Sequence, residues 1–345
     1  MYYNFSVKEG DVMADFIFTI NAVLPIILVV ALGYILKRMK FLNKDFLKVS
    51  NKLVFKVLLP VMLFLNIYNV SNLKEIRLDI VLFAALGIVA LFLIGLLIVI
   101  LFIKDPMQKG VVLQCVFRSN YAIIGIPLAT MLFGESAAVV ASLVSAISIP
   151  IFNILAVVSL TVFIKDDVEK KDFKTQAKSI LIKIITNPLI LGVVAGIIAL
   201  LIREVFVIND ITFRLSTDLK FVYTALTWLK NTATPLALIV LGGQFEFSAV
   251  KRLKKEIAIG TISRIVLAPV LMIGIALLFF KDFDGACFAC LVALFGSPVA
   301  VSSAIMASEM KNDEELAGQL VVWTTLLSSV TIFVLVLILK SINIF

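Results

Sequence analysis

Runs of about twenty apolar residues recur ten times along this chain of 345 residues, and that one feature rules out most folds. A bilayer core about 30 Å thick is crossed by ~20 residues of helix at about 1.5 Å rise each. Backbone polar groups in hydrocarbon must find partners within the protein, so runs of this length are read as helices. They lie near 14–36, 47–68, 79–103, 110–133, 136–164, 180–202, 218–243, 255–280, 284–308 and 315–340, numbered here 1 to 10. The expected fold class is all-α, a polytopic membrane protein of ten transmembrane helices. Composition points the same way: 61% of residues are hydrophobic and 16% charged, against about half and about a quarter in soluble domains. A net charge of +8 would suggest nucleic acid in a soluble chain. Here the Lys and Arg stand between apolar runs, so the implied partner is the lipid bilayer and not nucleic acid. The leader of run 1 carries Lys8, Glu9, Asp11 and Asp15, and the run is too long for a signal-peptide core, so it is read as a span.

Charge alternates from loop to loop. Lys37, Arg38, Lys40, Lys44 and Lys48 follow helix 1, Lys165, Lys170, Lys171, Lys174 and Lys178 follow helix 5, and Lys251, Arg252, Lys254 and Lys255 follow helix 7. The loops after helices 2, 4, 6 and 8 carry few. Because Lys and Arg stay cytoplasmic, both termini are expected outside the cell membrane, in keeping with an even number of spans. The charged loop 165–179 divides the chain into a first repeat, 1–164, and a second, 180–345, of five helices each. An odd number per half inverts the second half. Pro25 and Gly33 share their spacing with Pro188 and Gly196, Pro60 answers Pro235, and Lys104-Asp105 answers Lys281-Asp282. Gly125-Ile126-Pro127 answers Gly296-Ser297-Pro298. Inverted repeats with interrupted helices in matching positions are the mark of a secondary transporter.

Proline in a helix removes a donor and frees a carbonyl. Helix 4 (Arg118, Ser119, Asn120, Tyr121, Gly125, Pro127) and helix 9 (Gly296, Ser297, Pro298, Val299, Ser302) each place Gly, Pro and small polar residues in mid-span. Two broken helices crossing there would aim partly positive half-helix N-termini at a ligand, for which an anion is the natural guest. One such helix reads as a kink with packing glycines; two at repeat-related positions point to the functional reading.

These motifs resemble the auxin efflux carrier family in its short-looped bacterial form, a family that takes in plant auxin carriers and bacterial malate and malonate permeases. Arg118-Ser119-Asn120-Tyr121 with Gly125 and Pro127 is similar to its Arg-x-Asn-x-x-x-x-Gly-x-Pro. Pro298-Val299-Ala300-Val301-Ser302-Ser303 is similar to its Pro-Ser-Ala-Val-Ser-Ser, and Thr324-Thr325-Leu326-Leu327-Ser328 to its Thr-Thr-Leu-Leu-Ser. The resemblance covers nearly the whole chain. It implies a scaffold of helices 1, 2, 6 and 7 and a transport domain of helices 3–5 and 8–10 in which broken helices 4 and 9 cross. It also implies a carboxylate substrate such as malate, malonate or indole-3-acetate. The inverted symmetry predicts elevator or rocking transport across the plasma membrane, with the domain that bears both breaks moving against the scaffold. The family's crossover Asn maps to Asn120. Shifting Asn120 by the Pro127-to-Pro298 offset lands on Leu291, so no second Asn faces it.

Ionisable residues inside spans are expensive and face protein or water. Arg118 can fork onto a carboxylate or snorkel to the surface. Lys230, before Pro235, is a candidate for the anion path; Lys52 and Lys56 lie closer to a basic loop and can snorkel. Arg264 is a candidate partner for a backbone carbonyl, and Glu246 and Glu309 are read as solvated. Cys287-x-x-Cys290 lies in an apolar run with no His in the chain, so it reads as packing and not as a metal site. No nucleophile with its base and no nucleotide fingerprint is present, so no catalytic residue and no cofactor is expected. The runner-up is a sodium- or proton-coupled carrier of the bile-acid symporter or cation-exchanger type; a membrane enzyme or receptor is third. Coupling to H+ or Na+ and assembly as a homodimer stay open.

Overall fold

The computed structural model describes residues 9–69, 77–164, 182, 185–208 and 213–344. The loop 165–179 lies outside the described residues. We label the segments α1 (Glu9–Arg38), α2 (Lys44–Tyr68), α3 (Leu78–Phe102), α4a (Pro106–Phe117), α4b (Tyr121–Gly134) and α5 (Ser136–Val162). The second half gives α6 (Pro188–Ile208), α7 (Lys220–Gln244), α8 (Lys254–Phe279), α9a (Gly285–Gly296), α9b (Ser302–Glu309) and α10 (Glu314–Ser341). Five of these, α2, α3, α5, α8 and α10, are long and apolar enough to cross a membrane among the described residues. The chain is an all-α, polytopic membrane protein.

Local chemistry sets the helix starts. Side chains of Asn43, Asp105, Asp284 and Asp313 accept hydrogen bonds from Phe46, Met107, Cys287 and Leu316 N–H groups, satisfying donors that a first helical turn leaves orphaned. Gly134, at φ +67°, turns the chain between α4b and α5 in a conformation that costs glycine little.

Proline marks the interior irregularities. The described π turns, Val54–Leu58, Tyr121–Gly125, Ser263–Leu267 and Val292–Gly296, end two residues before Pro60, Pro127, Pro269 and Pro298. A proline cannot donate to the carbonyl four residues back, and its ring crowds that carbonyl. Widening the preceding turn relieves the crowding: the N–H groups of Leu59, Ile126 and Ala268 reach back five residues, to Val54, Tyr121 and Ser263.

Two helix pairs pack on glycine. α1 lies along α7 and α2 along α6. A Cβ on Gly33 would collide with the Ile239 carbonyl, one on Gly242 with the Val30 carbonyl, and one on Gly192 would stand 2.6 Å from the Pro60 carbonyl oxygen. Small residues let backbones approach where no water is available to drive association. On α3, Leu82, Leu86, Leu93 and Leu97 are exposed while Ile80, Ala84, Ile88 and Leu91 are buried. An exposed leucine face of this extent belongs against lipid.

Candidate functional site

The two interrupted helices meet at their interruptions. α4a ends at Phe117, and Arg118 takes extended angles (φ −81°, ψ 116°). After Asn120 the chain re-enters a helix through the π turn. α9a ends where Ser297 becomes extended (φ −63°, ψ 150°), as the residue before a proline prefers. Ser119 and Val299 pair as an antiparallel bridge, the Asn120 N–H donates to the Pro298 carbonyl at 2.8 Å, and the Val299 N–H donates to Thr324 Oγ1 at 3.2 Å.

Carbonyls freed at the ends of α4a and α9a converge on Arg264, which is fully buried. Its Nε donates to the Ser297 carbonyl at 2.9 Å. Nη1 reaches the Phe117 carbonyl at 3.1 Å and the Val116 carbonyl at 3.4 Å. Nη2 reaches the Leu294 and Phe295 carbonyls at 3.0 and 3.2 Å.

The first residues of α4b and α9b, and not their carbonyl ends, border a cleft lined by α2, α4, α5, α7 and α9. Its polar lining is Asn66, Arg118, Ser119, Asn120, Asn153, Thr234 and Ser302, with no Asp or Glu. Arg118 is 4% exposed; its Nη2 donates to Asn153 Oδ1 at 3.0 Å and to Ser302 Oγ at 2.9 Å, and Nη1 meets the sulfur of Met306. None of the ion pairs among the described residues includes Arg118. Asn120 Nδ2 and Ser119 Oγ are buried there with no hydrogen-bond partner. Two helix N-termini of about half a unit charge each, a full guanidinium and an unspent amide donor therefore face one space.

Of the residues singled out in the sequence, Arg118, Ser119, Asn120, Tyr121 and Ser302 line this cleft. Lys230 lines an adjoining one with Asn231, which shares Met62, Asn66, Ala122, Ile123 and Thr234 with it. Gly296, Ser297, Pro298 and Val299 are buried in the junction beneath. Gly125 sits under the Tyr121 ring and the Ala293 carbonyl, and Pro127 is exposed on the flank of α4b. The Gly-x-Pro match does not set the register between the halves. In α9 the interruption begins at the residue before Pro298, whereas in α4 it precedes Pro127 by seven residues or more. The N-capped segments α4a, after Asp105, and α9a, after Asp284, have the same length of 12 residues, and where they end Asn120 lies against Pro298 and not Leu291. Sequence reasoning missed Asn66 and Asn153. Each is an amide within an apolar run, a signal as strong as that of Asn120.

Arg264, a candidate carbonyl partner in the sequence, donates to five. Glu246 lies in the loop after α7, where Lys37 Nζ stands 2.6 Å from its carboxylate and holds its pKa below the usual value. Asn51 Nδ2 donates to Glu309 Oε1 at 2.8 Å. Cys115, Cys287 and Cys290 are free and buried, and among the described residues no three His, Cys, Asp or Glu gather as metal ligands.

A family model described as "Membrane transport protein" matches residues 18–336. The chain belongs to the auxin efflux carrier family. It is a membrane transporter of the secondary type and not an enzyme, and it handles a small organic substrate within the bilayer. No curated protein matches the chain.

Proposed function

We propose that this family member carries a small organic carboxylate across the plasma membrane by elevator-type alternating access. The observation that carries the reading is the charge balance of the cleft: Arg118, two helix N-termini and three Asn side chains face it with no carboxylate lining it. A cation would find no counter-charge there, whereas an anion would find donors already oriented. Asn120 recognises the carboxylate through its amide, Arg118 neutralises it, and Ser119, Asn153 and Ser302 complete the polar shell. Lys230, in the adjoining cleft, draws the anion in.

The reading includes ten spans, with both termini extracytoplasmic, in two inverted repeats of five helices whose α4 and α9 cross at the membrane midplane. The pairing of α1 with α7 and of α2 with α6 supports it, since a two-fold axis that exchanges the halves turns one pair into the other. So does the placement of clefts. The one with Lys230 meets the middle of α7 at 230–234 and the C-terminal part of α2 at 62–66; a second, where lysines (Lys37, Lys44, Lys48, Lys52, Lys311) mix with Glu246, Glu309, Glu314 and Glu315, meets the C-terminal end of α7 at Gly243 and Gln244 and the N-terminal part of α2. In the proposal α1, α2, α6 and α7 stay fixed while α3–α5 and α8–α10 carry the site between these two mouths.

Uptake into proteoliposomes from a panel of mono- and dicarboxylates, with and without Na+ and H+ gradients, tests the reading. Accumulation of at least one carboxylate, abolished by Arg118→Met, is expected. Uptake of organic cations alone would overturn it.

A further inference from the structure

We infer that the junction of the two broken helices is a cation site occupied by the carrier's own Arg264, so that this chain needs no soluble cation at the junction. Five carbonyls from three stretches of backbone, Val116 and Phe117, Leu294 and Phe295, and Ser297, converge where two helices end. Unwound carbonyls and half-helix C-terminal ends are the groups that coordinate cations in carriers with broken helices. Each of these ends carries about half a negative charge, so the pair presents about one negative charge in a water-excluded core. One guanidinium balances it.

The side chain is matched to that place. Arginine has five N–H donors in a rigid plane and stays charged, and here all five carbonyls receive one. Lysine, with three donors on a point charge, leaves some of them unmet. Arg264 lies within the π turn Ser263–Leu267 that precedes Pro269. None of the ion pairs among the described residues includes Arg264; its charge is answered by backbone dipoles alone. The two breaks are thereby tied to α8 by a cation that cannot dissociate, and they move with it as one unit.

The inference does not depend on what the Asn120 cleft carries, so its test is made without substrate. Thermal stability of purified protein in detergent is measured at fixed ionic strength in N-methylglucamine, Na+, K+ and low-millimolar guanidinium, for wild type, Arg264→Ala and Arg264→Lys. Wild type is expected to be indifferent to the cation. Arg264→Ala is expected to melt lower in N-methylglucamine and to recover saturably with guanidinium, and Arg264→Lys to fall between the two. If Arg264→Ala does not fold, the wild-type and Arg264→Lys arms decide alone. Wild type stabilised by Na+ or K+ would overturn the inference, as would Arg264→Ala indifferent to every small cation, or Arg264→Lys as stable as wild type.

Discussion

The Asn120 N–H donates to the Pro298 carbonyl at 2.8 Å across 178 positions of sequence, and this bond ties the interruption of α4 to that of α9. It uses the backbone of Asn120 and leaves the side-chain Nδ2 without a partner in the cleft. Backbone and side chain thus have separate tasks, which makes the side chain testable by itself.

Asn120→Ala removes one donor from a desolvated carboxylate. Binding of the transported anion is expected to weaken by about 1–3 kcal/mol, roughly tenfold or more in Kd. The melting temperature should change little, because the backbone bond to Pro298 survives. Calorimetric titration beside a melting curve checks both; unchanged affinity would place the ligand elsewhere.

Arg118→Met should separate stability from function. A buried guanidinium without a counter-charge costs several kcal/mol in desolvation, and relief of that cost is set against the loss of its hydrogen bonds to Asn153 and Ser302. The variant is expected to melt at or above the wild-type temperature while anion binding falls by about 2–5 kcal/mol. A variant that melts lower and binds normally would show that Arg118 is structural.

Gly242→Ala tests the α1–α7 contact. The added methyl would meet the Val30 carbonyl, and overpacking of this kind costs about 1–3 kcal/mol. Gly274, with open space around it, is the control: Gly274→Ala should leave stability the same or slightly higher. Equal melting temperatures for the two variants would contradict the packing described.

The Lys37–Glu246 pair gives a pH dependence of known sign. The hydrogen bond from Lys37 lowers the Glu246 pKa in the folded state, so its stabilisation is present above the unfolded pKa of about 4.3. It is lost as pH falls through the folded value. Both side chains are partly exposed, so the effect is expected below about 1 kcal/mol. The melting difference between wild type and Glu246→Gln should shrink between neutral pH and the acid side of that range, and shrink at high salt also.

The apolar run lengths placed helices 2, 3, 5, 8 and 10 within a few residues, since Lys44–Tyr68, Leu78–Phe102, Ser136–Val162, Lys254–Phe279 and Glu314–Ser341 answer runs near 47–68, 79–103, 136–164, 255–280 and 315–340. Hydrophobic length and helix caps act within a few turns of chain, so they are legible without knowledge of the fold. Proline effects are local as well, and its neighbourhoods at 60, 127, 269 and 298 are irregular, whereas Pro25, Pro150 and Pro235 sit within helices that run on. What proline did not mark is the interruption of α4. Arg118-Ser119-Asn120 contains no residue that forbids a helix; it is held out of helix by Val299 and Pro298 and by the guanidinium of Arg264 on α8. The cleft likewise draws Asn66, Asn153 and Thr234 from three other helices.

By itself, then, the sequence determined that the chain crosses a membrane as helices and that α4 and α9 carry the polar residues of the core, because burial in lipid and the missing donor of proline act on each segment alone. Only the tertiary structure decided where α4 breaks, which carbonyls Arg264 satisfies and which side chains share the cleft. Those outcomes depend on oxygens and donors contributed by segments far apart in the chain, and such partners have no defined distance until the helices have packed.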